Sequence, residues 1–488
     1  MRRRSTFTAL AAGLLVAAVS VPAASAAPAA PTATGELKSY LVVFDTGVAG
    51  IVARQLVTAA GGTVASDLTE QIGVVIATSA VPDFDATLRA SGLVEDAAEN
   101  LRFLGLPGTQ SHPGEGVPGG GPQPSADALE SQQWDMKQIR TDQAHAIQAG
   151  SRAVEVGILD SGIDGRHADF VGADGTNVDC ARGKNFVSFL PDGPGVGVPD
   201  PCTDNQFHGT HVAGTVGARA NSAGIVGVAP NVTLVPVKVC DSSGYCYAGS
   251  VVEGITYAGD AQFEVINMSF FVDDNEFQES TEFKCNSDPV QRTFRRAVER
   301  AVQYARSQGV TPIAALGNSD QDLAHPVDKE GQPIANECEV VPAETQGVIG
   351  VTSLGASSEK AGYSNYGVGQ ADVAAPGGNG STGDCAKTIL STIPGSVYTC
   401  IQGTSMAAPH AAGVAALIIS QYGTVGSDGD VKMPPQTVEA YLQGTTVDLG
   451  LTGYDECFGH GRIDALRAVT HDTSRLREAN QPCPEYTD

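Results

Sequence analysis

Positive charge is scarce in this sequence, cysteine is missing from its N-terminal third, and no long apolar run follows the N-terminus. Lys and Arg number 29 against 55 Asp and Glu, a formal charge of −26. A field of that sign repels phosphate backbones and anionic headgroups, which disfavours binding to nucleic acid or to a membrane surface. No segment after Val21 is long and apolar enough to span a bilayer. No C-x-x-C pair occurs, which disfavours a cysteine zinc site. The 10 Cys, even in number and all at or beyond Cys180, instead suit disulfides formed outside the cell.

What is present describes a large, turn-rich globular protein: 488 residues, 42% of them hydrophobic, and 58 Gly. Arg2, Arg3 and Arg4 precede an apolar run from Ala9 to Val21 and a small-residue site, Ala24-Ser25-Ala26. Residues 1–26 therefore read as a signal peptide cut after Ala26, and the protein as secreted. A membrane anchor is the other reading, but the run is too short to span and lacks a stop-transfer flank.

From Leu37 to Leu106 strand-like and helix-like stretches alternate: Tyr40 to Phe44, Ile51 to Ala60, Gly73 to Ile76, Phe84 to Ala90, then a last short strand. The pattern predicts a small ferredoxin-like α+β unit within residues 27–106. Residues 107–129, rich in Pro and Gly, read as an exposed linker, the kind of segment that proteases cut. From Glu130 onward short apolar strands alternate with amphipathic helices, which predicts an α/β fold with a mostly parallel sheet. The core strands are expected at Val154–Leu159, Thr233–Val239, Val265–Phe270 and Val310–Leu316. Helices are expected at Val212–Ala220, Gly249–Ala258, Pro289–Ser307 and Met406–Tyr422, and residues 473–488 as a tail tethered by Cys483.

Asp160 ends the strand Val154–Leu159, where a carboxylate can hold an imidazole in one tautomer and stabilise it once protonated. His208 opens His208-Gly209-Thr210-His211 at the start of a helix, in place to act as general base and then general acid. His208 and His211 stand three apart with no Glu between them, which disfavours zinc, and His211 reads as structural. Ser405 lies in Gly403-Thr404-Ser405-Met406-Ala407-Ala408-Pro409 just before an apolar helix, so its hydroxyl is accessible at a helix N-terminus. Asn318, after the strand Val310–Leu316, can offer an amide N–H to an oxyanion. Each of these residues alone has a plainer role as a turn residue or helix cap. Together they are the four parts of an acyl-transfer site.

The stretches around Asp160, His208, Asn318 and Ser405, in that order, resemble the four signature segments of the subtilases, and the resemblance extends over roughly Gln133 to Val469. It implies a three-layer α/β fold, a seven-stranded parallel sheet flanked by helices, spanning 130–472. It also implies peptide hydrolysis through an acyl-enzyme at Ser405. By position, residues 27–106 then resemble a subtilase propeptide, a chaperone and inhibitor of the domain it precedes. The implied partners are polypeptide substrates and this propeptide, and the implied state is a monomer.

The same resemblance implies that an extended peptide lies between Ser243-Gly244-Tyr245-Cys246 and Ser269-Phe270-Phe271. The second segment departs from the family, which usually has Leu-Gly-Gly where this chain has Phe270-Phe271-Val272. The rings either reshape the pockets or pack in the core. Leu316 and Gly317, with Val340 to Pro342 facing them, are the expected floor of an apolar first pocket. A structural calcium ion is implied at the loop Arg219–Ile225, with Asn221, Asp169 and Glu130 as ligands; a simple surface turn capped by Asp169 is the other reading. Proximity in sequence favours the disulfides Cys240–Cys246, Cys180–Cys202 and Cys385–Cys400. An α/β-hydrolase esterase is disfavoured, because that fold needs the order Ser, Asp, His and a glycine where Ala407 stands. A secreted subtilase-fold module that only binds peptides is the non-enzymatic alternative.

Overall fold

The computed structural model describes residues 35–100, 102–106, 129–187, 200–271, 283–327, 331–335, 337–427, 429–478 and 483. The expected signal peptide, the linker up to residue 128, Val272 and most of the tail lie outside the described residues.

The N-terminal unit is a four-stranded antiparallel sheet in the order Thr63–Leu68, Val74–Ser79, Lys38–Phe44, Val94–Glu99, with helices Gly50–Ala59 and Phe84–Arg89 on one face. This is the ferredoxin-like arrangement expected. Strand Thr63–Leu68 was not foreseen, because its polar, half-exposed residues carry little apolar alternation. The two faces of strand Lys38–Phe44 bury different partners, as the period of two requires. Tyr40, Val42 and Phe44 pack under the unit's own helices, whereas Leu41 and Val43 join Leu68, Val74 and Ile76 against the larger domain.

That larger domain is built on a seven-stranded parallel sheet. Its order is Val373–Pro376, Ile349–Leu354, Thr311–Ala315, Val265–Met268, Glu155–Asp160, Thr233–Lys238, Lys184–Asn185. Most strands are buried along their whole length, as a parallel sheet covered by helices on both faces demands. Helices His208–Gly217 and Thr404–Tyr422 pack in the core on one face, Ala248–Ala261 and Pro289–Ser307 on the other. Helix Thr404–Tyr422 is buried from Thr404 through Ile419. An apolar surface all round marks a helix enclosed by its neighbours.

Five disulfides form: the three expected pairs, plus Cys285–Cys338 and Cys457–Cys483. The last one ties Cys483 back to the domain, and Glu478 pairs with the buried Arg462 at 2.7 Å, so the C-terminal residues described are docked. Among the described residues no helix is long and apolar enough to cross a membrane.

The two units meet through charge as well as apolar contact. Arg292 Nε donates to the fully buried Asp96 at 2.6 Å. Arg296 pairs with Glu95 at 2.9 Å. Arg300 reaches the carbonyl oxygens of Phe44 and Ile72 as well as Glu95. Asn100 Oδ1 accepts from Gly249 N at 2.7 Å, capping the free N-terminus of helix Ala248–Ala261.

Candidate active site

Asp160 stands at the C-terminal end of strand Glu155–Asp160, with its backbone oxygen accepting from Val239 N and Cys240 N. Its carboxylate faces the imidazole of His208, and Nδ1 lies 3.0 Å from Oδ1 and 2.9 Å from Oδ2. Both side chains are fully buried. A carboxylate can only accept, so Nδ1 carries a proton, and in the neutral ring Nε2 is the nitrogen that presents a lone pair. Nε2 is buried and has no hydrogen-bond partner among the described residues.

His208 is placed by Asp204, which the sequence reading missed. The Asp204 carboxylate accepts from the backbone N–H groups of Gln206, Phe207 and Thr210 and from the hydroxyls of Ser161 and Thr210. It thereby satisfies the donors left open where helix His208–Gly217 begins. The signal was available, since an Asp shortly before a helix start reads as a cap. Phe207, the residue before His208, is held at φ 107°, a region that L side chains rarely adopt, while its ring is buried in the core. Gly209 is required by close approach: a Cβ there would stand 2.1 Å from Gly162 O.

Behind this pair lies Lys238, 1% exposed, at the end of the strand beside Asp160. Its ammonium donates to Ser161 O at 2.7 Å and to Asn205 Oδ1 at 2.9 Å. Burial pulls its pKa down, and Asp204, Asp241 and Asp160 work against that pull. A lone lysine closing an otherwise apolar strand was its only trace in the sequence. His211 stays neutral, as burial pushes its pKa down to about 3, and its Nε2 faces the carbonyl oxygens of Ile389 and Thr399. The structural reading of His211 holds.

Ser405 is the second residue of helix Thr404–Tyr422 and is 5% exposed. Its hydroxyl donates to Ser269 O at 3.0 Å. Asn318, in the loop after strand Thr311–Ala315, is oriented by its oxygen, which accepts from Thr404 N at 2.9 Å and Thr404 Oγ1 at 2.8 Å. That leaves the amide N–H₂ directed away from Thr404. Asn365, also missed, braces the same loop: its side chain accepts from Ser319 N and Gln321 N and donates to Leu316 O. Gly317 N donates to Thr404 Oγ1.

Of the two segments expected to flank a peptide, the first is occupied from within the chain. Residues Arg102–Leu104 form an antiparallel strand with Tyr245–Tyr247, and Leu106 N donates to Gly244 O at 3.1 Å. Phe270 is fully buried in the core, whereas Phe271 is only partly buried. Of the two readings left open for these rings, packing in the core is the one that Phe270 takes, its side chain turned into the sheet-helix layer. Leu316 is likewise fully buried.

Around the expected calcium loop, Asp169 is fully buried and its Oδ2 accepts from Ile225 N. Asn221 sits nearby, donating to Ala168 O and Val171 O, and Leu129 N, beside the exposed Glu130, donates to Gly224 O. Asp169 and Leu129, the neighbour of Glu130, thus hold the loop that contains Asn221. Among the described residues no group of three or more His, Cys, Asp or Glu converges on a metal position. An amide, backbone carbonyls and a buried carboxylate are nevertheless donors of the hard-oxygen type that calcium takes.

The model of the subtilase family matches residues 151–461. Subtilisin DY of Bacillus licheniformis is 33% identical over 331 residues, 68% of this chain and 96% of that protein. Subtilisin E of Bacillus subtilis is 33% identical over 336 residues, 69% of this chain and 71% of its own length. Among solved structures, the epidermin leader peptide processing serine protease of Staphylococcus aureus is similar in fold, with a TM-score of 0.69 at 22% identity over 89% of this chain and 98% of that one. A lanthipeptide protease matches with a TM-score of 0.56 at 25% identity, covering 70% of this chain and 96% of its own.

Proposed function

The chain belongs to the subtilase family, and from that premise we propose that it is a secreted serine endopeptidase made as a self-inhibited zymogen. Ser405 is the nucleophile, His208 the general base and acid, Asp160 the carboxylate that orients it, and Asn318 an oxyanion-hole donor. The observation that carries this reading is the buried Asp160–His208 pair with Nε2 left unpartnered.

In the first step the Ser405 hydroxyl passes its proton to His208 Nε2 as Oγ attacks the peptide carbonyl. The imidazolium is stabilised by Asp160, and the negative oxygen by the Asn318 amide and the Ser405 N–H. His208 then returns the proton to the leaving amine, and water, activated by the same base, releases the acyl group. Lys238 and Asp204 keep the geometry rigid from behind and touch no reacting atom.

Residues 102–106 support the self-inhibition. They take the place in which an extended substrate would add to the strand Tyr245–Tyr247. The 27–106 unit is then a propeptide that is cut between about Leu104 and Ser131 and remains bound through Asp96, Glu95 and the arginines of helix Pro289–Ser307. A calcium ion held by Asp169, Asn221, Glu130 and carbonyls of the loop Arg219–Ile225 would lend that loop rigidity. The reading is tested by covalent labelling with a serine-directed fluorophosphonate: labelling at one residue, abolished in Ser405→Ala, is the expected result. A folded chain that resists the label would make this a peptide-binding module instead.

A further inference from the structure

The stretch 102–106 is held through its side chains as well as its backbone. The Arg102 guanidinium lies 4.6 Å from the centre of the Tyr245 ring and also faces Tyr247 and the carboxylate of Asp241. That carboxylate is fixed in place, accepting from Ser243 N, Tyr245 N and Tyr247 Oη. Phe103, 3% exposed, has its ring 5.3 Å from that of Phe294 and shares one apolar cluster with Leu106 and Phe270. Gly105 has no room for a side chain: a Cβ would stand 2.7 Å from Cys246 Sγ and 2.8 Å from Phe271 O. Neither atom can retreat, since the sulfur is bonded to Cys240 and the oxygen belongs to the backbone.

Resting on the protease reading above, we propose that this cleft selects polypeptides bearing the pattern Arg-Phe-x-Gly-Leu and hydrolyses them on the C-terminal side of it. A cation docks on Tyr245 and Asp241, an aromatic ring beside Phe294, a glycine against the Cys240–Cys246 bridge, and an aliphatic residue after it. The reaction is ordinary peptide hydrolysis: the C–N bond breaks, and water supplies hydroxyl to the carbonyl carbon and a proton to the amine. The overall charge of −26 favours encounter with cationic chains over acidic ones.

The test uses the full-length chain left to mature, its active sites counted with a fluorophosphonate. Quenched peptides carry Arg-Phe-Ala-Gly-Leu before a common tail. Three variants carry Glu for Arg, Ala for Phe, or Ala for Gly, and casein serves as an undemanding substrate. We expect kcat/KM to fall about ten-fold or more when Gly becomes Ala, from overpacking. We expect a fall of about ten-fold or more when Phe becomes Ala, from lost burial. We expect at least a few-fold fall, about three-fold, when Arg becomes Glu, from the lost cation–π contact. In Tyr245→Leu the preference for Arg over Glu should narrow while that for Gly over Ala persists. An enzyme that labels, cuts casein and treats all four peptides alike overturns the selectivity and leaves the protease reading standing. A chain that neither labels nor cuts casein overturns both.

Discussion

Ser405 and Ser269 hold each other: the Ser405 hydroxyl donates to Ser269 O at 3.0 Å, and the Ser269 hydroxyl donates to Ser405 O at 2.8 Å. The exchange pins the start of helix Thr404–Tyr422 to the end of strand Val265–Met268, and Asn267 Nδ2 donates to the same Ser269 hydroxyl. Ser269→Ala should therefore lower stability by about 1 to 3 kcal/mol, because two buried polar groups lose their partner. Fluorophosphonate labelling should persist, since the carbonyl that holds the Ser405 hydroxyl is backbone. Denaturant melts and labelling rates on the same preparation check both halves.

Asn318→Ala should reduce kcat about 10²- to 10³-fold with little change in KM, the magnitude measured for an oxyanion-hole amide in subtilisin itself. Thr404→Val removes one of the two hydrogen bonds that aim the Asn318 amide. It should lower kcat in the same direction but by less. Steady-state kinetics on a small peptide would separate the two; a rise in KM with kcat intact would refute the role.

Prosegment binding should weaken as pH rises. With the N-terminal unit in place, burial pushes the Glu253 carboxyl up to about 7, and a hydrogen bond with Ser66 only partly offsets this. Departure of the unit takes Ser66 away from Glu253, and exposure to water should move the carboxyl back toward its ordinary value. The bound state thus takes up a proton. Affinity is full below about pH 4.5 and declines through pH 7, by up to about 10²-fold. Anisotropy of a labelled prosegment on the Ser405→Ala enzyme between pH 4.5 and 8 measures this, and Glu253→Gln should flatten the curve.

The disulfides should differ in weight by the length of chain they close. Cys285–Cys338 spans 53 residues and Cys240–Cys246 only 6. Loop entropy predicts losses of about 4 and about 2 kcal/mol when each is replaced by a serine pair. The shorter bridge lies against Gly105 in the cleft. Its removal should relax the demand for glycine while costing less stability, which melting temperatures and the peptide series together would reveal.

Calcium, if it binds at the loop beside Asp169, should raise the melting temperature in proportion to its occupancy, and Asp169→Asn should abolish the response. Isothermal titration of the chelator-stripped enzyme gives the direct reading. No heat and no shift in melting temperature would remove the ion from the account.

The sequence was legible where function depends on local backbone. Asp160 at a strand end, and His208 and Ser405 at helix starts, could be placed because apolar runs and glycines punctuate the chain beside each of them. Strand Thr63–Leu68 was not, because its side chains are half exposed and polar and leave no alternation to read. Asn365 was passed over because it braces residues 316–321 through hydrogen bonds that close only when separate loops meet, whereas Asp204 caps its own helix start and was legible there.

The amino-acid sequence by itself determined the family, since the stretches around Asp160, His208, Asn318 and Ser405 carry its signature segments in order and the family model matches residues 151–461. Tertiary structure alone decided what surrounds them. It buried Phe270 and left Phe271 at the cleft, placed Lys238 behind Asp160, set Glu253 under the N-terminal unit, and laid residues 102–106 along Tyr245–Tyr247. Backbone direction at a strand or helix end follows from neighbours along the chain. Burial, charge pairing and the space left for a side chain depend on segments far apart in sequence, which meet only when the core closes.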